Sequence, residues 1–309
     1  KLIENSNRVL FTSPCSLASK EVSAFTSLKG NQLSVVSSGG GFSDFPEPNG
    51  DKMAPLSVGY LGSLNFAKLH PAYIEFLSAV NLPAFKVRLI GDLLNREVLE
   101  RQSDDAGRSG MLDFRGYTTD VITELRAINV MAYLLNPQHY GTAENALLEA
   151  MAMGIVPIVL DNPAENNIVE HMSTGLIVCN PNQFADAIDW LANNPEELSR
   201  IGLQAATSIR TRFTLEVMEA SFRTHYEEVI KKKKRLVPFL HIFGTTPEEW
   251  FLSCQAEPDI FRKDGEICLP ANSLSYFNLL EKTKGSVFHF LSHFPNATRL
   301  QSWAKNLES

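Results

Sequence analysis

The chain has 309 residues, 44% of them apolar and 20% charged, with a formal net charge of −7. That length allows one large or two ordinary domains with a sizeable core, and the composition excludes a disordered chain and gives no electrostatic footprint for nucleic acid. No apolar run reaches the length of about 18 residues that a spanning helix needs, and the N-terminus has no apolar signal core. The cysteines at 15, 179, 254 and 268 show no framework spacing and are expected to stay reduced thiols, which points to the cytosol.

RVLFT (8–12) and LSVVS (33–37) read as short strands flanking a helix-like segment. SSGGGFSDFPEPNGDKMAP (37–55) is rich in Gly, Pro, Ser and Asp, has no apolar period and reads as a linker. From residue 57 the pattern changes. SVGYLG (57–62), KVRLIG (86–91), LDFRGY (112–117), VMAYLL (130–135), IVPIVL (155–160) and GLIV (175–178) are short apolar runs, mostly bounded by Gly, Asn or Asp. Helical spacing falls between them, as in Tyr73, Leu77 and Val80 or Leu147, Met151 and Gly154. Buried strands alternating with helices predict an α/β fold, a Rossmann-like parallel sheet flanked by helices. Pro157 is a mild objection, because proline belongs near strand starts or edges. Phe184, Ile188 and Leu191 mark a further helix, and Leu198, Ile201, Ala205 and Ile209 begin a helical tail running to about Ile230.

KKKKR (231–235) ends this unit, and lysines suit the negative pole of a helix end. A membrane-surface or nucleic-acid patch is the less favoured reading of the same run. Residues 236–309 show no strand–helix alternation and five of the chain's 19 phenylalanines fall between 239 and 277. TTPEEWF (245–251) has the threonine cap, first-turn proline and acidic residues of a helix start. GSVFHFLSHFPNATRLQSWAKNL predicts one or two more helices, so 231–309 reads as a mainly helical accessory region.

In a doubly wound sheet, ligands sit at the carboxyl ends of the strands, against helix N-termini. The stretch after VMAYLL is such a place. HYGT can bring backbone close to a ligand at Gly141, Thr142 can cap the following helix, and the first amides there, from Ala143 on, suit a phosphate. Asn145 and Glu149 are four apart and share a helix face. A carboxylate one turn back from a phosphate can accept hydrogen bonds from ribose hydroxyls, which fits a nucleoside diphosphate. On these residues alone, a partly exposed helix glutamate is an equally good reading of Glu149, with Glu144 merely stabilising the helix start.

The order of motifs adds to this. ALLEAMAMGIVPIV, SVGYLGSLNFAKLHPAYIEFLSAV, FKVRLIGD, LDFRGYTTDVITEL and the segment from AENNIVE to LSRIG together resemble, over residues 57–230, the donor-binding half of retaining GT-B glycosyltransferases of the group 1 type. The resemblance implies a hexosyltransferase-like, metal-independent enzyme that needs no cofactor besides a nucleotide-sugar donor. It implies a ribose contact at Glu149 and a diphosphate contact at Lys68, within a donor site drawn from Gly62, Ser63, Lys68, Gly141, Thr142, Ala143, Asn145 and Glu149. Lys68 and Glu144 are the candidate catalytic residues. Ser63 stands where the family carries an arginine, and Gly141 where it carries its first glutamate. By the same resemblance, residues 1–50 are the end of an acceptor domain and its linker, residues 51–230 the donor domain, and most of an acceptor domain is expected upstream. The acceptor, whether carbohydrate, lipid or protein, is open. A cytoplasmic chain is expected, with peripheral attachment to a membrane open. A degenerate, non-catalytic nucleotide-sugar-binding or assembly module is the competing reading.

Other motifs point to less. SSGGGFSD (37–44) lacks the GxGxxG spacing of a phosphate loop, and without that fingerprint a nicotinamide dehydrogenase is disfavoured. His289 and His293 stand four apart but, with no CxxC nearby, are expected to line a helix seam rather than hold a metal. The sequon at 296–298 is incidental without a signal segment. His139 and Tyr140 sit in the candidate loop, where packing or sugar contact is favoured over acid–base work.

Overall fold

The computed structural model describes residues 6, 8–11, 22, 26–27, 32–40, 42–48, 55–139, 143–234, 236–255, 257–268 and 279–308. Residues 7–232 form one compact unit and residues 233–309 belong to a second.

The first unit is built on a six-stranded parallel sheet of β3 (Val58–Leu61), β4 (Val87–Ile90), β5 (Leu112–Gly116), β6 (Val130–Tyr133), β7 (Val156–Leu160) and β8 (Leu176–Val178), in the order β5-β4-β3-β6-β7-β8. Five of these strands are mainly buried apolar residues, because helices cover both faces of a parallel sheet. Pro157 is the second residue of β7. The ladder to β8 opens one residue later, at Ile158–Leu176, so the missing N–H falls before it begins. A separate two-stranded parallel sheet pairs β1 (Val9–Phe11) with β2 (Leu33–Val35).

Helices α1 (Tyr73–Ser78), α2 (Arg96–Asp105), α3 (Val121–Leu125), α4 (Asn145–Ala152), α5 (Pro163–Asn166) and α6 (Pro181–Asn193) connect and follow the strands. The expected single tail is two helices, α7 (Pro195–Arg212) and α8 (Leu215–Ile230), parted at Phe213 and Thr214. Thr214 takes extended backbone angles and its side chain caps α8 by accepting from the Val217 N–H, a helix start inside what reads as continuous periodicity.

The segment read as a linker is packed in its described part. The Gly40 N–H donates to the Phe213 carbonyl, and the Arg210 guanidinium donates to the carbonyls of Phe42, Phe45 and Pro46 while pairing with Glu47. One cation, far off in sequence, thus satisfies carbonyls that no ladder would pair. Arg210 also donates to Ala152 O at the end of α4, and so ties the segment to the helix of the candidate site.

Helix α7 crosses the turn after α4 at two glycines. A Cβ on Gly202 would stand 2.2 Å from the Gly154 carbonyl oxygen, backbone that cannot rotate aside. Gly202→Ala is therefore expected to destabilise the protein by roughly 1–3 kcal/mol through overpacking, despite alanine's better helix propensity. A thermal melt checks this, and a melting temperature at or above that of the parent would contradict the crossing.

The second unit holds α9 (Leu240–Phe243), α10 (Pro247–Ser253), α11 (Val287–His293) and α12 (Thr298–Glu308) around buried Phe251, Phe261, Leu300 and Trp303. Thr246 caps α10, with Glu249 closing the box, as its sequence predicts. Of the one or two helices expected at the C-terminal end, two form, but the histidines do not line their seam. His293 is exposed, and half-buried His289 accepts from Gly285 N–H at 3.1 Å, whereas Phe290 packs on Phe251 and Trp250. No helix among the described residues is long and apolar enough to cross a membrane.

Candidate active site

The strand order reverses between β3 and β6, where the chain leaves β5 and crosses to the other half of the sheet. The carboxyl ends of those two strands open the crevice where such folds take ligands. The loops that leave them are sewn together. Asn136 N–H donates to Lys68 O at 2.7 Å, His70 N–H to Leu134 O at 3.0 Å, and the Asn136 side-chain amide to Phe66 O at 2.9 Å. This backbone lattice holds Lys68 over Tyr133, its Nζ 5.6 Å from the ring centroid.

On the β3 side, the expected ligand groups are engaged within the protein. The Gly62 N–H donates to Ile90 O, and a Cβ on Gly91 would lie 1.9 Å from Gly62 O, so the two strand ends meet at a glycine pair. Ser63 Oγ donates to Asp92 Oδ2 at 2.5 Å and accepts from the Asn65 side chain at 2.6 Å. The amide of Gly62, one of the expected donor-site residues, serves the sheet.

On the β6 side, helix α4 starts at Asn145, and Glu144 occupies the N-cap position without a side-chain cap bond. The cap expected at Thr142 therefore lies later in the chain; Tyr140, Gly141 and Thr142 themselves fall outside the described residues, and Ala143 is half-buried. Glu144 has φ 47 and ψ 44, left-handed angles that are strained for a side chain with a Cβ. The strain aims its carboxylate inward, where it is 1% exposed. Tyr133 Oη donates to Glu144 Oε2 at 2.5 Å, Lys68 Nζ lies 3.4 Å from the same oxygen, and His139 Nε2 lies 3.5 Å from Oε1. Burial alone would raise the Glu144 carboxyl, but His139, Lys68 and Tyr133 together hold it down at about 2. Lys68 and Glu144 are thus brought together as an ion pair.

A residue with no sequence signal completes the cluster. Glu165, on the short helix α5, is fully buried, and neither of its carboxylate oxygens has a hydrogen-bond partner. His139 Nε2 lies 3.4 Å from its Oε1. Burial, reinforced by the nearby Glu144 charge, pushes the Glu165 carboxyl up to about 7. His139 is raised because Glu144, Glu165 and the Asn136 carbonyl outweigh its own burial. Only its distance in sequence from the candidate loop hid Glu165.

Asn145 is exposed and Glu149, one turn on along the same helix, is half-buried. Among the described residues Glu149 makes no hydrogen bond or ion pair, and burial raises its carboxyl. Its acceptor capacity is uncommitted.

The family model described as glycosyl transferases group 1 matches residues 43–207, more than half of the 309. The chain belongs to this family. Its six-stranded parallel sheet flanked by helices matches the fold of GT-B glycosyltransferases. Solved structures similar to this group 1 chain include Anabaena HepE in complex with UDP and glucose, at 16% identity and a TM-score of 0.62, covering 72% of this chain and 64% of that one. The sucrose-phosphate synthase of Thermosynechococcus elongatus matches at 20% identity and a TM-score of 0.61, covering 74% of this chain and 60% of that one. A glycosyltransferase from Rickettsia africae matches at 14% identity and a TM-score of 0.60, covering 74% and 64%. The group 1 chain therefore spans less than two thirds of the length of these structures. No curated protein matches its sequence significantly.

Proposed function

We propose that this chain is the nucleotide-sugar-binding half of a glycosyltransferase, with the donor seated in the crevice between the ends of β3 and β6. The observation that carries the reading is the uncommitted Glu149 carboxylate one turn inside the helix that opens on that crevice, with Lys68 held at its mouth. Glu149 would accept from the ribose hydroxyls. Lys68 and the first amides of α4, helped by the Gly141–Ala143 loop, would stabilise the departing diphosphate electrostatically, without a metal in that step. Glu144 would orient Lys68, and Asn145 would border the donor. HepE was solved with UDP and with UDP-glucose, which makes a uridine nucleotide the first donor to try. Retention of configuration, an acceptor-binding half upstream, residues 1–50 as its remnant and residues 231–309 as an accessory region are parts of the same proposal.

Titration calorimetry of the full chain with UDP, GDP and ADP tests it. At least one should bind, and silence across the panel rejects the reading. Lys68→Ala should weaken the diphosphate by about tenfold or more while changing uridine binding little, since removal of a cation acts on phosphate charge. Equal loss for both ligands would contradict the role given to Lys68.

A second reading, a non-catalytic donor domain, is favoured by the Lys68–Glu144 ion pair and by Ser63 bonded to Asp92 where the family carries an arginine. Release of UDP from a UDP-sugar by a protein that includes the upstream half would exclude it.

A further inference from the structure

We infer that His139, Glu144 and Glu165 form a binding site for a divalent cation of the zinc class. The three offer His139 Nε2 and one carboxylate oxygen from each glutamate, all within 4.8 Å of one another, and they are the only such group among the described residues.

The spacing is that of ligands rather than of hydrogen-bonded partners. His139 Nε2 stands 3.5 Å from Glu144 Oε1 and 3.4 Å from Glu165 Oε1, and it is itself without a hydrogen bond. A direct N–H to carboxylate bond would close to about 2.7–2.9 Å. Ligand atoms about 2.0–2.1 Å from a tetrahedral zinc stand about 3.3–3.4 Å apart. The remaining polar atoms of His139 and Glu144 are held by outer partners, as those of metal ligands are. His139 Nδ1 is 2.7 Å from the Asn136 carbonyl, which can only accept, so Nδ1 carries a proton and Nε2 is the nitrogen that faces the carboxylates, free to give up its own proton to a metal. Glu144 gives its other oxygen to Tyr133 and Lys68, which fixes the carboxylate in place.

Glu165 is the independent sign. A carboxylate that is 0% exposed, with both oxygens unpartnered, carries a desolvation cost that a native fold seldom accepts without a cation to meet it. Two carboxylates and one neutral imidazole fit a hard or borderline dication. The ion would join three segments: the loop after β6, the cap of α4 and helix α5. This inference does not depend on the nucleotide reading, and its failure would leave that reading standing.

The test is titration of the full chain with zinc chloride after EDTA treatment and dialysis, with all cysteines alkylated because Cys179, Cys254 and Cys268 are exposed. One equivalent should bind and raise the melting temperature. Glu165→Gln, nearly isosteric, and His139→Gln should each weaken zinc at least tenfold. No zinc binding by the parent chain overturns the inference; the cluster then holds a proton shared by His139 and the two glutamates. Binding that both variants retain also overturns it and places the ion elsewhere, for instance at His289 and His293.

Discussion

Glu149→Ala should weaken binding of a nucleoside diphosphate by one to two powers of ten or more and leave the melting temperature unchanged or slightly raised. Two vicinal ribose hydroxyls donating to one carboxylate form charge-assisted hydrogen bonds, each contributing roughly 1.5–3 kcal/mol. Loss of even one of them is worth about tenfold or more in affinity. No stabilising partner is lost from the free protein, because Glu149 has none among the described residues and its half-burial already disfavours the charged form. Alanine is also the better helix former. Calorimetry with the diphosphate, paired with a thermal melt, separates the outcomes. Normal binding with early melting would make Glu149 a structural residue.

Glu165→Gln should raise the stability of metal-free protein at pH 8, by about 3 kcal/mol if the carboxyl stands near 7 when folded and near its ordinary value when unfolded. The sign follows from proton uptake. Between roughly pH 4.5 and 7 the folded chain holds a proton that the unfolded chain has released, so stability falls as pH rises through that window. The loss is complete above the folded value. Glutamine stays neutral, so the variant should lack this slope and melt several degrees higher at pH 8, while differing little at pH 4.5. Melts from pH 4.5 to 8 in EDTA check this; parallel curves for the two proteins would show that Glu165 does not titrate in this window. The neighbouring Glu144, held at about 2, acts in the opposite sense: its stabilisation is present above the ordinary carboxylate value and is lost only as pH falls toward 2.

Five of the six strands of the main sheet were legible because a parallel sheet buries both faces, and strands such as VGYL and VPIVL announce themselves as unbroken apolar runs; the edge strand LDFRG is only partly buried and was legible from its place in the alternation. Helix α10 was legible from local chemistry alone, since its cap, proline and acidic turn lie within a few residues. What escaped depends on contacts distant in sequence. Arg210 pins the 42–48 segment from 160 or more residues away, so a Gly- and Pro-rich stretch reads as free linker. Thr214 starts a new helix where the apolar spacing runs on almost unbroken.

Within the site, Glu144 and Glu149 could be named from the strand–loop–helix pattern and Lys68 from the family resemblance, but their mutual arrangement could not. That Glu144 turns inward onto Lys68 follows from its left-handed backbone, which no propensity predicts for glutamate. That Glu165 joins them follows from the folding of β7 beside β6, which brings the start of α5 under the candidate loop. His139 read as a packing or sugar-contact residue because Glu165, the second of its carboxylate neighbours, lies beyond the next strand in the chain.

The most direct measurement is a crystal structure of the full chain with UDP. The ribose hydroxyls should lie within hydrogen-bond distance of the Glu149 carboxylate, with the diphosphate at Lys68 and the first amides of α4. A nucleotide bound elsewhere, or one in the crevice with its ribose turned away from Glu149, would contradict the donor-site assignment.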